Sequence, residues 1–126
     1  MKKVFDTSIL IDHLKGIKKA CMLIKKVEDG EIEGIISVVS EAELLSAKRC
    51  ENEEERKKIE ELLGIFRKIE FTNEIAKLAA SFKRRYGVSL LDCIIAATAF
   101  KEGCEIFTKN LKDFKRIKGV KAIKPY

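Results

Sequence analysis

The stretch VFDTSILIDHL, residues 4–14, joins two apolar segments of different periodicity through a single carboxylate. Val4 and Phe5 predict a short buried strand. A helix with one buried face is predicted next, from the spacing of its apolar residues Ile9, Leu10, Ile11 and Leu14. Asp6 stands at the junction, where an aspartate on its own is simply explained as a helix N-cap.

Short strands and longer helices alternate along the rest of the chain. Strands are predicted at residues 3–5, 35–39, 68–71, 105–108 and 120–123. Helices are predicted at residues 7–14, 17–28, 40–50, 52–66, 73–86 and 89–102, with one or two helical turns between the last two strands. Because strands separated by helices need crossover connections, this order predicts an α/β fold with a mostly parallel sheet and helices on both faces.

Length and composition are those of a globular protein, and we expect a single domain spanning residues 1–126. Hydrophobic residues make up 46% of the chain and charged residues 37%, with one proline and no low-complexity linker. The longest apolar run, residues 93–100, is too short to cross a membrane. The first three residues resemble the start of a signal peptide, but Asp6 interrupts the apolar segment that would have to follow. We therefore expect a cytoplasmic protein.

The four cysteines form no C-x-x-C motif. Each lies in a segment of apolar periodicity, and the set is Cys21, Cys50, Cys93 and Cys104. This pattern predicts free, buried thiols instead of disulfide bonds or a zinc site.

Positive charge is unevenly distributed. The net charge is +6, and residues 101–126 hold eight lysines and arginines against three acids. Residues 83–85 form a second basic cluster, Lys-Arg-Arg. Such clusters suit a polyanionic ligand, although a solvated surface is the better explanation when they are taken alone.

Four acidic residues stand where the predicted strands end or where the most apolar helix begins. Asp6 follows the first strand, Glu43 the second and Asp113 the fourth, while Asp92 opens the helix at 89–102. In a parallel sheet these positions face one crevice, beyond the carboxyl ends of the strands. Helix capping is the competing explanation, because Ser40–Glu43, Ser89–Asp92 and Asn110–Asp113 all have capping-box spacing.

Two arguments favour a shared site over four separate caps. Aspartate is scarce, with five residues against fifteen glutamates, yet three of the five occupy these positions; Asp12 and Asp29 are interpreted as surface residues. Crowded carboxylates repel one another unless a cation neutralises them, and ligation by oxygen alone suits Mg²⁺ or Mn²⁺ and not zinc. With the basic clusters, this predicts metal-dependent hydrolysis of a phosphodiester.

Four stretches carry a resemblance to a known family. They are VFDTSILIDHL at 4–14, ISVVSEAELLSA at 36–47, VSLLDCIIAATAF at 88–100 and IFTKNLKDFKRIKGVKAI at 106–123. In this order they cover almost the whole chain and resemble the PIN-domain ribonucleases, in particular the VapC toxins of VapBC toxin–antitoxin pairs. The resemblance implies a three-layer α/β/α sandwich, usually a homodimer, that cuts RNA with Mg²⁺ or Mn²⁺.

The resemblance also assigns roles to individual residues. Asp6, Glu43 and Asp92 match the core acids of the family, and Asp113 is the expected fourth. Other members often carry an acid at the position of Asn110, so Asn110 is expected to contact the metal's water shell. The expected supporting hydroxyls are Thr108, near the site, and Ser8, which replaces the family's usual asparagine beside Asp6.

The sequence thus predicts a Mg²⁺/Mn²⁺-dependent endoribonuclease whose metal is held by Asp6, Glu43, Asp92 and Asp113. Basic residues are expected to grip the RNA backbone, namely Arg85, Lys109 and Lys112. A VapB-like antitoxin would bind a groove formed by the segments 9–27 and 40–66. An RNA-processing nuclease outside such a pair, or a non-catalytic RNA- or protein-binding module, is the alternative. The single histidine, His13, is assigned no role.

Overall fold

A single five-stranded sheet forms the centre of the molecule in this computed structural model, which describes residues 1–126. The strands are β1 (Lys2–Phe5), β2 (Glu33–Ser37), β3 (Arg67–Ile69), β4 (Glu105–Phe107) and β5 (Ala122–Ile123). Their order is β3-β2-β1-β4-β5, and every neighbouring pair is parallel. The predicted parallel sheet is confirmed.

Seven helices cover the two faces of this sheet. They are α1 (Thr7–Leu14), α2 (Lys18–Glu28), α3 (Val38–Leu45), α4 (Glu53–Leu63), α5 (Asn73–Tyr86), α6 (Leu90–Glu102) and α7 (Leu111–Phe114), with a 3₁₀ turn at Lys48–Glu51. One hydrophobic cluster joins the sheet to α1, α2, α3 and α4, and a second joins it to α5, α6 and α7. The three-layer α/β/α architecture is therefore confirmed.

Adjacent strand residues alternate between these two clusters. Val4, Ile35 and Ile106 belong to the cluster under α5 and α6. Their neighbours on the other face belong to the cluster under α1 to α4, and they are Phe5, Ile36 and Phe107. Because side chains of a strand alternate between faces, a continuous apolar run marks a strand covered on both sides.

The boundary between β2 and α3 differs from the prediction. The strand ends at Ser37 and the helix begins at Val38, so the expected strand to residue 39 and the helix start at Ser40 are wrong. The Ser37 side chain accepts a hydrogen bond from the Val39 amide at 3.1 Å and is the true N-cap. Ser40 is fully buried inside the helix, so no capping box forms between Ser40 and Glu43.

The most apolar helix, α6, lies deep in the molecule as predicted. Its residues from Cys93 to Ala99 are all buried. All four cysteines are free thiols; Cys50 and Cys93 are buried, and Cys21 and Cys104 are partly buried. No helix combines the length and apolarity that a bilayer crossing requires.

The chain changes direction in the sheet between β1 and β4. From β1 it proceeds outward to β2 and β3, and it then crosses back through α5 and α6 to reach β4 on the other side of β1. Ligand crevices of open parallel sheets form at such a switch point, beyond the carboxyl ends of the strands. Asp6 and Thr108 are the first residues after β1 and β4.

Candidate functional site

Asp6 occupies the N-cap position of α1, but its carboxylate does not cap the helix. Its Oδ2 accepts hydrogen bonds from the hydroxyls of Thr108, at 2.7 Å, and Ser8, at 3.0 Å. The residue is 6% exposed. Capping alone therefore does not explain Asp6, whose carboxylate is held by one neighbour in the chain and by a residue that follows another strand.

The loop of residues 108–110, here called the hub loop, connects this carboxylate to the rest of the site. The Thr108 hydroxyl that donates to Asp6 also accepts a hydrogen bond from the Asn110 amide, at 2.9 Å. The Lys109 amide donates to the Ser8 hydroxyl at 3.2 Å. The position of Asp6 is thus set by the conformation of the hub loop.

Asn110 brings two further acids to the same place. Its side-chain Nδ2 donates to Asp92 Oδ2 at 3.3 Å and to Asp113 Oδ2 at 2.9 Å. Asp92 lies in the first turn of α6, where its backbone amide donates to the Ser89 hydroxyl. In Asp6 and Asp113 one carboxylate oxygen is held, and the other accepts no hydrogen bond from the protein.

The four predicted acids are close enough for the charges of three of them to affect the pKa of the fourth, Asp92. Burial raises the pKa of Asp92, and the charges of Asp6, Asp113 and Glu43 raise it further, against a lowering by the Ser89 hydrogen bond. A carboxylate in a partly desolvated position among like charges resists ionisation. This is the electrostatic situation that a bound cation relieves.

Glu43 is the least integrated of the four acids. It lies on the exposed side of α3, and its carboxylate makes no hydrogen bond or ion pair. It borders a cleft of about 210 Å³ whose other lining residues include Thr7, Ile11, Leu14, Leu44, Ala47 and Ile59. No three acidic, histidine or cysteine side chains are already grouped closely enough to hold a metal ion together.

The three predicted RNA-binding residues lie in different environments. Arg85, near the end of α5, and Lys112, in α7, are exposed and make no ion pair. The Arg116 guanidinium donates to the Tyr86 carbonyl and so joins the ends of α5 and α7. Lys109 instead donates to the Asp12 carboxylate at 3.0 Å.

Asp12 corrects one expectation, because it is not a surface residue. It is 6% exposed, and its Oδ2 accepts a hydrogen bond from the Tyr126 hydroxyl at 2.8 Å. The hydrogen bond from Lys109 is the main cause that lowers the pKa of Asp12. Its spacing of three residues from the buried Ile9 is the sequence signal that places it on the inner face of α1.

His13, the next residue, is partly buried and contains a ring nitrogen that makes no hydrogen bond. Its Nδ1 atom is enclosed without a hydrogen-bond partner, and burial lowers its pKa, against a raising effect of Glu28. It lines a cleft together with residues of α2 and α4, and none of the four acids borders that cleft. The interpretation of His13 as having no part in the acidic site is consistent with this position.

Known proteins share both the sequence and the fold of this chain. The sequence model of the PIN domain matches residues 3–120. Ribonuclease VapC10 of Mycobacterium tuberculosis is 36% identical over 115 residues, which cover 86% of this chain and 83% of the relative. A chain of a toxin–antitoxin complex from Klebsiella pneumoniae superposes with a TM-score of 0.79 at 31% identity, over 98% of both chains. VapBC2 from Rickettsia felis, bound to a DNA fragment, shares the fold with a TM-score of 0.81 at 20% identity, over 98% of both chains.

Proposed function

The chain belongs to the PIN-domain family, with VapC ribonucleases among its relatives, and we propose that it is a metal-dependent endoribonuclease, the toxin of a toxin–antitoxin pair. The observation that carries the proposal is the common arrangement of Asp6, Asp92 and Asp113. Each carboxylate is held by a hydroxyl or amide donor of a neighbouring side chain, and Asp6 and Asp113 keep one oxygen free of protein hydrogen bonds. Three carboxylates held in this way at a strand switch point suit a hard cation.

The donor set fits Mg²⁺ or Mn²⁺. All candidate ligands are carboxylate oxygens, and the pKa of Asp92 is raised by burial first and then by repulsion from the other acids, which such an ion would relieve. Asp6, Glu43, Asp92 and Asp113 would hold the ion. When bound, it would lower the pKa of a water molecule and neutralise charge on the scissile phosphate.

The protein's own groups prepare this site. Thr108 and Ser8 fix the Asp6 carboxylate through Oδ2 and leave Oδ1 available. Asn110 presents its amide to Asp92 and Asp113, and thereby shields their mutual repulsion. Arg85 and Lys112 supply exposed positive charge for the RNA backbone.

The cleft beside Glu43 supports the partner part of the proposal. It lies between α1, α3 and α4, within the segments 9–27 and 40–66, and Ile11 on its wall is 39% exposed. An apolar face of a VapB-like antitoxin would bury this wall. Leu62 and Leu63 of α4 belong to the core instead, and Ile59 contacts both the core and the cleft. Assembly into a homodimer stays a prediction.

The direct test is cleavage of RNA by the purified chain. We expect cleavage with Mg²⁺ or Mn²⁺, none with excess EDTA, and a loss of more than about 100-fold in Asp92→Asn. Asp29→Asn is the matched control, because Asp29 lies on the surface and pairs only with Lys25. Cleavage by Asp92→Asn at the parental rate would rule out the assigned site.

A further inference from the structure

The buried carboxylate of Asp12 has no part in the acidic site described above, yet the protein surrounds it with specific partners. The Lys109 ammonium lies 3.0 Å from Oδ1 and 2.9 Å from Oδ2, and the Tyr126 hydroxyl lies 2.8 Å from Oδ2. The side chain of Asp12 is 8% exposed, against 43% for Lys109. A charge buried to this degree needs a partner, so Lys109 is retained by Asp12 and not free for another anion.

The ion pair attaches the hub loop, which contacts the three carboxylates of the site, to α1. Thr108 contacts Asp6, and Asn110 contacts both Asp92 and Asp113. Lys109, between them, is the one residue of the loop whose side chain leaves the acids and reaches α1. Its own amide, through Ser8, belongs to the network around Asp6.

Helix α1 connects the two acids that the hub loop contacts, Asp6 and Asp12. Asp6 immediately precedes its first residue, and Asp12 lies six residues further along the chain. A hub loop tied to Asp12 is therefore held at a constant distance from Asp6. We propose that Asp12 and Lys109 form a clamp that positions the hub loop, and with it the three carboxylates, so that both are positioning residues for the proposed cleavage.

This inference rests on the proposed ribonuclease function only for its kinetic test. With a single-site RNA and saturating Mg²⁺, we expect Lys109→Met to lower kcat about 10- to 100-fold with KM within about twofold. Asp12→Asn should reproduce this pattern. The kcat of the double variant should be no lower than that of the less active single variant, because both substitutions break the same contact.

Three further variants separate positioning from RNA binding and from general damage. Lys109→Arg can still pair with Asp12 and should keep kcat within about threefold. Lys112→Met, at an exposed lysine three residues away, should raise KM and leave kcat unchanged. Lys25→Met breaks an exposed lysine–aspartate pair at the end of α2 and should change neither constant.

A second measurement needs neither RNA nor metal. By hydrogen exchange in the metal-free protein, the amides of Lys109 and Asn110 should exchange at least about tenfold faster in Lys109→Met and Asp12→Asn. The amide of Ile106, which donates to the Lys121 carbonyl, serves as the internal reference and should not change.

The outcomes are distinct. If Lys109→Met raises KM at constant kcat and leaves exchange unchanged, Lys109 grips RNA and the clamp is wrong. If exchange at Ile106 rises as much as at Asn110, the pair only stabilises the fold, and the clamp is also wrong. If the parent protein cleaves no RNA while the local exchange effect is present, the clamp stands and the proposed function fails.

Discussion

At the scale of single residues, Asp12 and Asp92 show how surroundings give one residue type opposite properties. The pKa of Asp12 is lowered by a hydrogen bond from Lys109, despite burial. The pKa of Asp92 is raised by burial and by the neighbouring charge of Asp6. The ionised form is therefore favourable to folding in Asp12 and unfavourable in Asp92.

Replacing Asp92 with asparagine should stabilise the metal-free protein while it abolishes cleavage. The change removes a half-buried charge from among three like charges, and an asparagine oxygen can still accept from Asn110. We expect a gain in the free energy of unfolding of up to about 1 kcal/mol at pH 7, or roughly 4 °C in Tm. Thermal unfolding in EDTA measures it, and a lower Tm than the parent would contradict the repulsion.

Replacing Asp12 with asparagine should destabilise the fold in a pH-dependent way. Because the folded-state pKa lies below the ordinary value of 3.8, the ionised carboxylate stabilises the fold above that value, and this stabilisation is lost as pH falls through the folded-state pKa. At pH 7 we expect a loss of about 1–3 kcal/mol, which shrinks towards acid pH. Urea unfolding between pH 2 and pH 7 tests this, with Asp29→Asn, expected to cost no more than about 0.5 kcal/mol, as the control. A loss independent of pH would show that the charge is irrelevant.

At the scale of elements, the close approach of a side chain to the backbone explains why a glycine occupies a buried position in a strand, which hydrophobic periodicity does not explain. Gly34 in β2 faces Val27 of α2 and Phe66 in the segment after α4, and a Cβ atom there would lie 2.7 Å from the Phe66 ring and 2.8 Å from Val27. The Phe66 ring in turn packs edge-on against Phe5 of β1, with centroids 5.0 Å apart. The glycine is therefore needed for β2 to pack closely against Val27 and the Phe66 ring.

Gly34→Ala should be destabilising although alanine is otherwise acceptable in a strand. The added methyl group must displace the Phe66 ring or Val27 in a packed core, at a cost of about 1–3 kcal/mol. Gly64→Ala is the contrasting variant, since Gly64 ends α4 with ordinary helical angles and contacts at 3.4 Å. It should be neutral or stabilising by up to about 1 kcal/mol. Denaturant unfolding compares them, and equal stabilities would contradict the packing argument.

At the scale of the whole molecule, the fold places the acids of the site beside exposed basic residues. Asp6 follows β1, Asp92 lies in the first turn of α6, and Asp113 lies in α7 next to Lys112. The exposed basic residues at the end of α5 and around α7 lie on the two elements that the Arg116–Tyr86 hydrogen bond joins. An RNA strand crossing this surface would bring a phosphate to the acids while its neighbours contact cations.

RNA binding should accordingly depend on salt through the basic cluster of α5. In an Asp92→Asn background, which permits binding without cleavage, we expect log Kd to rise linearly with log salt concentration. Each phosphate contact contributes roughly 0.7 to the slope. Replacing the three basic residues Lys83, Arg84 and Arg85 with glutamine should therefore reduce the slope by about 2. Neutralising Lys18 and Lys19 of α2 should leave it unchanged. Equal effects of the two sets would indicate non-specific attraction by net charge.

The order of elements could be predicted because its signals are local. The helix at Asn73–Tyr86 has the predicted bounds, and its end at Gly87 follows from a left-handed backbone conformation, φ 67°, that glycine adopts without strain. The start of α3 could not be placed, because Val38 and Val39 favour a strand by propensity while the Ser37 side chain caps a helix. Two local preferences competed there, and only the surrounding packing resolved them.

What the sequence determined by itself is the α/β class and the acids that follow the strands, because periodicity and position after a strand are properties of short segments. Tertiary structure alone decided that Lys109 pairs with Asp12 and that Asn110 links Asp92 to Asp113. The Thr108–Asp6 and Lys109–Asp12 contacts join residues 102 and 97 positions apart. Contacts at such separations are set by how the elements pack, which no pattern within a single segment records.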